Sequence, residues 1–205
     1  MKILLIGPQG CGKGTQALIL SERLGIPAFA MGQLLRDEVA SGTEIGLRVR
    51  GILESGNLVS DQVAAEVLQD RLRRSDAAKG YILDGYPRNM EQYAMFTFDE
   101  PTHAVVIEVP RAESLLRLGG RLTCDRCGRV YAVSAGASDS DKCACGGSLK
   151  QRSDDTTEAI NRRLDIYEND TIPMLEKFEE RGILCRVDGI GTIDEVQERI
   201  LNVIE

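Results

Sequence analysis

Nine residues near the start, Gly7-Pro8-Gln9-Gly10-Cys11-Gly12-Lys13-Gly14-Thr15, combine the types that hold a phosphate chain. Glycines let backbone N–H groups turn inward around anionic oxygens, a following helix adds the positive end of its dipole, and Lys13 supplies a point charge. The run departs from the general Gly-x4-Gly-Lys-Ser/Thr pattern, because Gly14 fills the hydroxyl position and Thr15 comes after it. A strand-to-helix turn with no ligand would need neither Lys13 nor the extra glycines. A second grouping is Cys124-x2-Cys127 followed by Cys143-x-Cys145. Four thiolates at these spacings are compatible with one tetrahedral zinc ion. The second pair is tighter than the usual Cys-x-x-Cys, which leaves Asp141 as an alternative to one sulfur. No His lies nearby to leave an open coordination position, so the site reads as structural, with two disulfides or free thiols as the competing readings. Cys11 and Cys185 fall outside this grouping and read as small packing residues, Cys11 having the alternative of a low-pKa thiol at a helix N-terminus. His103, the one histidine, reads as structural.

Such groups need a frame. Nearly continuous apolar runs at Lys2 to Ile6, Tyr81 to Leu83, Ala104 to Val109 and Ile183 to Val187 predict strands covered on both faces. Amphipathic segments separate them: 13–24, 60–73, 90–96, 112–118, 156–181 and 192–203, with Pro173 expected to bend or break the long one. The alternation predicts an α/β fold with a parallel sheet and crossover helices. Residues 1–29, 60–120 and 157–205 form the expected core. Residues 30–59, two short helical stretches interrupted at Ser41-Gly42 and Ser55-Gly56, form one insertion. Residues 121–156, rich in Cys, Gly, Ser and Asp, form another that cannot bury a core of its own.

Composition bounds the partners. With 25 Lys and Arg against 32 Asp and Glu, the net charge of −7 argues against broad contact with a nucleic-acid backbone. Only 4% of residues are aromatic and none is Trp, so stacking platforms for single strands are scarce. At 42% hydrophobic and 28% charged the chain is neither disordered nor collagen-like, and no apolar run approaches the ~18 to 20 residues of a membrane span. The apolar start is too short for a secretory signal, so a cytoplasmic location is expected.

The Gly-Lys-Gly-Thr-Gln form of the glycine loop resembles the nucleoside monophosphate kinases, and among them the adenylate kinases. Leu83-Asp84-Gly85-Tyr86-Pro87-Arg88 with Gln92 is similar to that family's second signature. Gly32 with Leu34-Leu35-Arg36, then Gly56-Asn57-Leu58-Val59-Ser60-Asp61, resembles its monophosphate-binding insertion. Arg121, Arg129-Val130-Tyr131, Arg152-x-Asp154-Asp155, Arg163 and Val187-Asp188-Gly189 resemble its lid and the segments C-terminal to the lid. Cys124-x-x-Cys127-Gly128-x-x-Tyr131 resembles the lids of the zinc-bearing subset. The likeness runs through essentially the whole chain and implies a P-loop NTPase-type sheet, a helical insertion and a zinc-bearing lid.

The resemblance also implies roles. The donor ATP would be held by Gly10, Cys11, Gly12, Lys13, Gly14, Thr15, Arg117, Arg121, Val130, Tyr131 and the loop near Gly191. The acceptor monophosphate, AMP above others, would be held by Met31, Arg36, Asn57, Leu58, Val59, Gly85, Tyr86, Pro87, Arg88, Gln92, Arg152 and Arg163. Lys13, Arg88, Arg121, Arg152 and Arg163 would neutralise the charge of the transferring phosphoryl group. Asp84 would hold water on a Mg2+ bridging the phosphates, its alternative role being the N-cap of the helix after Arg88. Cys124, Cys127, Cys143 and Cys145 would hold zinc. The chain has Met31-Gly32-Gln33 where adenylate kinases usually carry Thr-Gly-Asp, so UMP or CMP remains an alternative acceptor. A monomer is expected. The rival from another class is a P-loop nucleotide switch with a zinc-knuckle interaction module, which needs one phosphate site where a transferase needs two.

Overall fold

The computed structural model describes residues 1–55, 57–152 and 155–205. Gly56 and Asp154, both part of the motifs above, lie outside the described residues. The core opens with β1 (Lys2–Ile6), α1 (Lys13–Leu24) and β2 (Ala28–Ala30), then α2 (Met31–Ser41), α3 (Glu44–Glu54) and α4 (Asp61–Leu72). It continues through β3 (Tyr81–Asp84), α5 (Met90–Met95), β4 (His103–Glu108) and α6 (Arg111–Gly119). A small antiparallel unit comes next, β5 (Arg121–Cys124), β6 (Val130–Ala132) and β7 (Leu149–Lys150), before α7 (Thr157–Ile166), α8 (Ile172–Glu180), β8 (Leu184–Asp188) and α9 (Ile193–Ile204).

Among the described residues the main sheet is wholly parallel, in the order β2-β3-β1-β4-β8. Alternation along each strand divides its side chains between two cores. Leu4, Ile6, Tyr81, Leu83, Ala104 and Val106 pack with α2, α4 and α8 on one face. Ile3, Leu5, Ile82, Val105 and Ile107 pack with α1 and α9 on the other. Both faces are covered, which is why the strands read as unbroken apolar runs.

The strand β2 was not expected. Three residues, Ala-Phe-Ala, carry no readable period, and pairing with β3 (Ala28↔Ile82, Ala30↔Asp84) makes them a strand. The expected helix over 156–181 is two helices joined by a wider π turn at Tyr167–Thr171, where the Ile172 N–H reaches back to the Tyr167 carbonyl. Pro173 begins α8; having no N–H to give to the preceding turn, it is tolerated where the hydrogen-bond register changes. Helix starts are capped by side chains: Ser60 for α4, Asn89 for α5, Thr156 for α7, and a reciprocal Thr192–Glu195 box for α9. The β5–β7 unit buries only a small cluster, in which Leu122 and Leu149 share the interior with Cys124 and Cys143.

Candidate active site

The glycine loop joins the end of β1 to α1 at the carboxyl edge of the sheet, where parallel folds place their ligands. Gly12, with φ 98°, is the N-cap of α1, and no side chain among the described residues caps that end. A left-handed cap suits glycine alone, and it leaves the first-turn N–H groups facing the loop's concavity. The Lys13 ammonium reaches over the loop and donates to the carbonyls of Gly7 (2.7 Å) and Pro8 (2.8 Å). Cys11 is buried against Leu5, Ala17 and Ile107, as a packing residue would be.

Asp84 ends β3 opposite Leu5 of β1. Its Oδ2 would stand 3.5 Å from a methyl group placed on Gly14, so the carboxylate lies beside the first turn of α1. Asn89, not Asp84, caps α5: its side chain accepts from the Gln92 N–H at 2.7 Å. One carboxylate beside Gly14, at a phosphate loop that carries Thr15, is a donor set that fits Mg2+, which keeps most of its waters.

A pocket of about 40 Å³ lies between α2 and the turn after β3; Met31, Leu58, Val59, Gly85, Arg88 and Gln92 line it, together with Asn57. Met31 and Gln92 are each 2% exposed, so the pocket has an apolar wall and one buried amide. Gln92 Oε1 accepts from the Arg88 N–H at 2.8 Å, and Arg88 Nε donates to the Gly85 carbonyl at 2.8 Å. The Arg88 carbonyl accepts from Thr171 at 2.6 Å, which ties this turn to the π segment. Tyr86 and Pro87 are buried behind it, and the Tyr86 hydroxyl donates to the Gln92 carbonyl; they shape the turn rather than line the pocket. Arg36 faces a neighbouring cleft of about 440 Å³, bordered on one side by Gln33, Arg36 and Asp37 and on the other by 123–128 and Lys150–Arg152.

At the base of the β5–β7 unit two candidate cations converge on Asp155, which stands in the Arg152-x-Asp154-Asp155 run but carried no role of its own there. Asp155 accepts from Arg121 Nε (2.8 Å) and Nη2 (2.5 Å) and from Arg163 Nη2 (2.9 Å). The Asp155 side chain is fully buried, and those of Arg121 and Arg163 are 14% and 8% exposed. Burial holds the Arg121 pKa below its usual value, and the charges of Arg152 and Arg163 add to that effect while Asp155 opposes it. Only the fold shows it between two guanidiniums.

The residues expected at the donor base divide. Arg117 donates to the Gly189 carbonyl at 3.1 Å and pairs with Glu113, which holds α6 to the loop containing Gly191. Val130, on β6, is exposed. The Tyr131 hydroxyl is turned toward the cysteines and donates to Cys143 Sγ at 3.1 Å.

The four cysteine sulfurs lie within 4.8 Å of one another, with Cys124–Cys145 and Cys127–Cys143 each at 3.5 Å. Sulfurs bound tetrahedrally at about 2.3 Å would stand roughly 3.8 Å apart, so the cluster fits one ion. All four are free thiols. Asp141 is occupied in its own turn, accepting from the Ser138 N–H at 2.7 Å, and the set is four sulfurs. Gly147 is required here, since a methyl group on it would stand 2.5 Å from Cys124 Sγ. The Tyr131 hydroxyl, with the Cys145 N–H, lowers the Cys143 thiol to about 6.

The adenylate kinase family model matches residues 5–183. Among curated relatives, adenylate kinase of Syntrophotalea carbinolica is 41% identical, covering 100% of this chain and 98% of its own. That of Geotalea uraniireducens is 38% identical with the same coverage. That of Methanosarcina acetivorans is 41% identical over 97% of this chain and 95% of its own.

Proposed function

The chain belongs to the adenylate kinase family, and on that premise we propose that its cleft works as two facing phosphate sites, one for each nucleotide. The reaction is the reversible transfer of the ATP γ-phosphate to AMP, giving two ADP. Such transfer needs little covalent help from protein; it needs the donor and acceptor held in line, charge on the equatorial oxygens neutralised and water excluded. Mg2+, when bound with ATP, offsets the charge on the phosphate oxygens, and Asp84 would hold it through water.

In this reading the glycine loop, Gly10 to Thr15, cradles the donor phosphates with N–H groups at the start of α1, and Lys13 leaves the loop carbonyls for them. Arg36 and Arg88 hold the acceptor phosphate, while Met31, Asn57, Leu58, Val59 and Gln92 enclose its base. Arg121, Arg152 and Arg163 surround the transferring group, the first and third held in orientation by Asp155. Arg117, Val130 and the loop at Gly191 border the donor base. Residues 30–59 act as the monophosphate-binding insertion and 121–156 as a lid that zinc, held by the four cysteines, keeps folded. Lid closure keeps water from competing as acceptor.

The observation that carries the reading is the second pocket, with a buried amide and an apolar wall beside Arg88, next to the face that bears Arg36. A one-nucleotide switch has no use for it. We further take the protein to act as a cytoplasmic monomer on free nucleotides, away from nucleic acid and membrane. No helix among the described residues is long and apolar enough to cross a membrane, and the net charge of −7 opposes long polyanions. Product analysis with Mg-ATP and AMP, UMP, CMP or GMP tests the assignment. AMP gives the highest kcat/KM; a higher value for UMP or CMP would overturn it.

A further inference from the structure

We propose that Asn89 and Asp61 form a clasp across the acceptor-base pocket, which makes Asn89 a positioning residue for base selection. The inference rests on the acceptor-site reading above. The pocket's walls come from separate stretches of chain: Leu58, Val59 and Ala64 at the entry to α4, and Gly85, Arg88 and Gln92 around the start of α5. Asn89 Nδ2 donates to Asp61 Oδ1 at 2.9 Å, across 28 residues of sequence. The same amide accepts from the Gln92 N–H at 2.7 Å, and Gln92 Oε1 accepts from the Arg88 N–H at 2.8 Å. One side chain therefore caps α5, holds the turn of the buried Gln92 and joins that wall to the first residue of α4. Only this orientation of the Asn89 amide satisfies both neighbours, because the carboxylate accepts and the backbone N–H donates. Asp61 stands in the first turn of α4, where the helix dipole favours its charge. Burial raises the Tyr86 pKa and the charge of Asp61 adds to it, so that charge is felt at the turn carrying Arg88. A pocket whose walls are tied together costs less to order around a base, and discriminates more sharply against a base of another shape.

The test compares Asn89→Ser, which keeps a cap for α5 but is too short to reach Asp61, with Asn89→Asp, which keeps the cap and sets two carboxylates face to face. The double variant Asn89→Asp with Asp61→Asn exchanges donor and acceptor and restores the hydrogen bond. A coupled assay measures kcat and KM for AMP, CMP and ATP, and calorimetry measures adenosine binding. The kcat/KM ratio of AMP to CMP falls about threefold in Asn89→Ser and about tenfold in Asn89→Asp, in line with loss of a hydrogen bond to a charged group. Adenosine binding weakens in step, because the clasp acts on the base, while KM for ATP stays within about twofold. The exchanged pair recovers both the ratio and the adenosine affinity to within about twofold of the parent. An unchanged ratio in either single variant overturns the proposal, as does a double variant no better than Asn89→Asp. A parallel rise in KM for ATP also overturns it, since that marks a merely structural role. Absence of transfer to AMP by the unaltered protein would refute the function, not this inference, because adenosine binding reads the clasp without turnover.

Discussion

Replacing Asp155 with Ala tests how the lid and core cations are held. The carboxylate is fully buried and shared by Arg121 and Arg163, whose nearest nitrogens lie 2.5 and 2.9 Å from the same oxygen. Without it the two guanidiniums lose their shared buried counter-charge. Breaking a buried ion pair by removing one partner costs about 3–5 kcal/mol, and about 3 kcal/mol is the loss expected here. For a chain of this size that is a Tm lowered by roughly 6–12 °C. A polyphosphate ligand brings the missing negative charge with it, so diadenosine pentaphosphate should raise the Tm of Asp155→Ala by more than it raises that of the unaltered protein. Asp155→Asn, which keeps an acceptor without the charge, should fall between the two. Scanning calorimetry with and without the ligand reads all three. A loss under about 2 °C, or equal ligand shifts in variant and parent, would refute the account of Asp155 as counter-charge to a phosphate site.

Lys13→Met should lower kcat/KM in a coupled assay by roughly 10²–10³, the scale of losing one positioned charge stabiliser; turnover within threefold of normal would contradict its role. Stripping zinc with a chelator, or Cys127→Ser, should expose 121–152 to limited proteolysis while the parallel sheet persists, because Leu122 and Leu149 alone are too little core for that unit; an uncut lid in metal-free protein would contradict this. Tyr131→Phe should weaken zinc affinity about tenfold in a competition titration, as expected when a hydrogen bond to a ligand sulfur is lost. Unchanged affinity would show that the 3.1 Å contact with Cys143 does not support the metal.

Features were legible in the sequence to the degree that their signals are local. The strands at Lys2–Ile6 and His103–Glu108 were legible because both faces are buried, so nearly every residue must be apolar. Ala28–Ala30 was not, because its pairing with β3 is a fact about a partner some fifty residues away. The break near Pro173 was legible from the missing N–H, but the π turn beside it was not. The loop around Lys13, the turn from Asp84 to Arg88 and the cysteine spacing are contiguous groupings whose chemistry is written in consecutive residues. Asp155 acquires its meaning through neighbours, by burial between guanidiniums from β5 and α7. Tyr131 was read both toward the donor base and within the zinc-lid motif, and its hydroxyl is engaged by a sulfur twelve residues on.

The distribution of cations over the fold bears on why closure and chemistry belong together. Lys13 begins the helix α1 that packs against the parallel sheet, Arg88 lies on the turn after β3, Arg163 on α7, which packs against α6, Arg36 on α2, and Arg121 and Arg152 at the two ends of the small antiparallel unit. In the proposed reading no single segment carries enough positive charge to hold a triphosphate facing a monophosphate, and the complete ring would form where insertion and lid meet over the core. A net charge of −7 over the whole chain then has a use: cations confined to a cleft focus the field on small mobile anions, while the outer surface repels polyanions that would compete for them. The zinc cluster fits the same logic. Four thiolates around a divalent ion carry a formal charge of roughly −2, and a charge of that sign beside the transferring group would oppose it. Cations flank the sulfurs: Arg126 donates to the Cys145 carbonyl and Arg129 lies near Cys143, while Arg121 and Arg152 stand at the base of the unit. In the proposed reading the metal would thus stiffen the lid while the cations of its base face the phosphates.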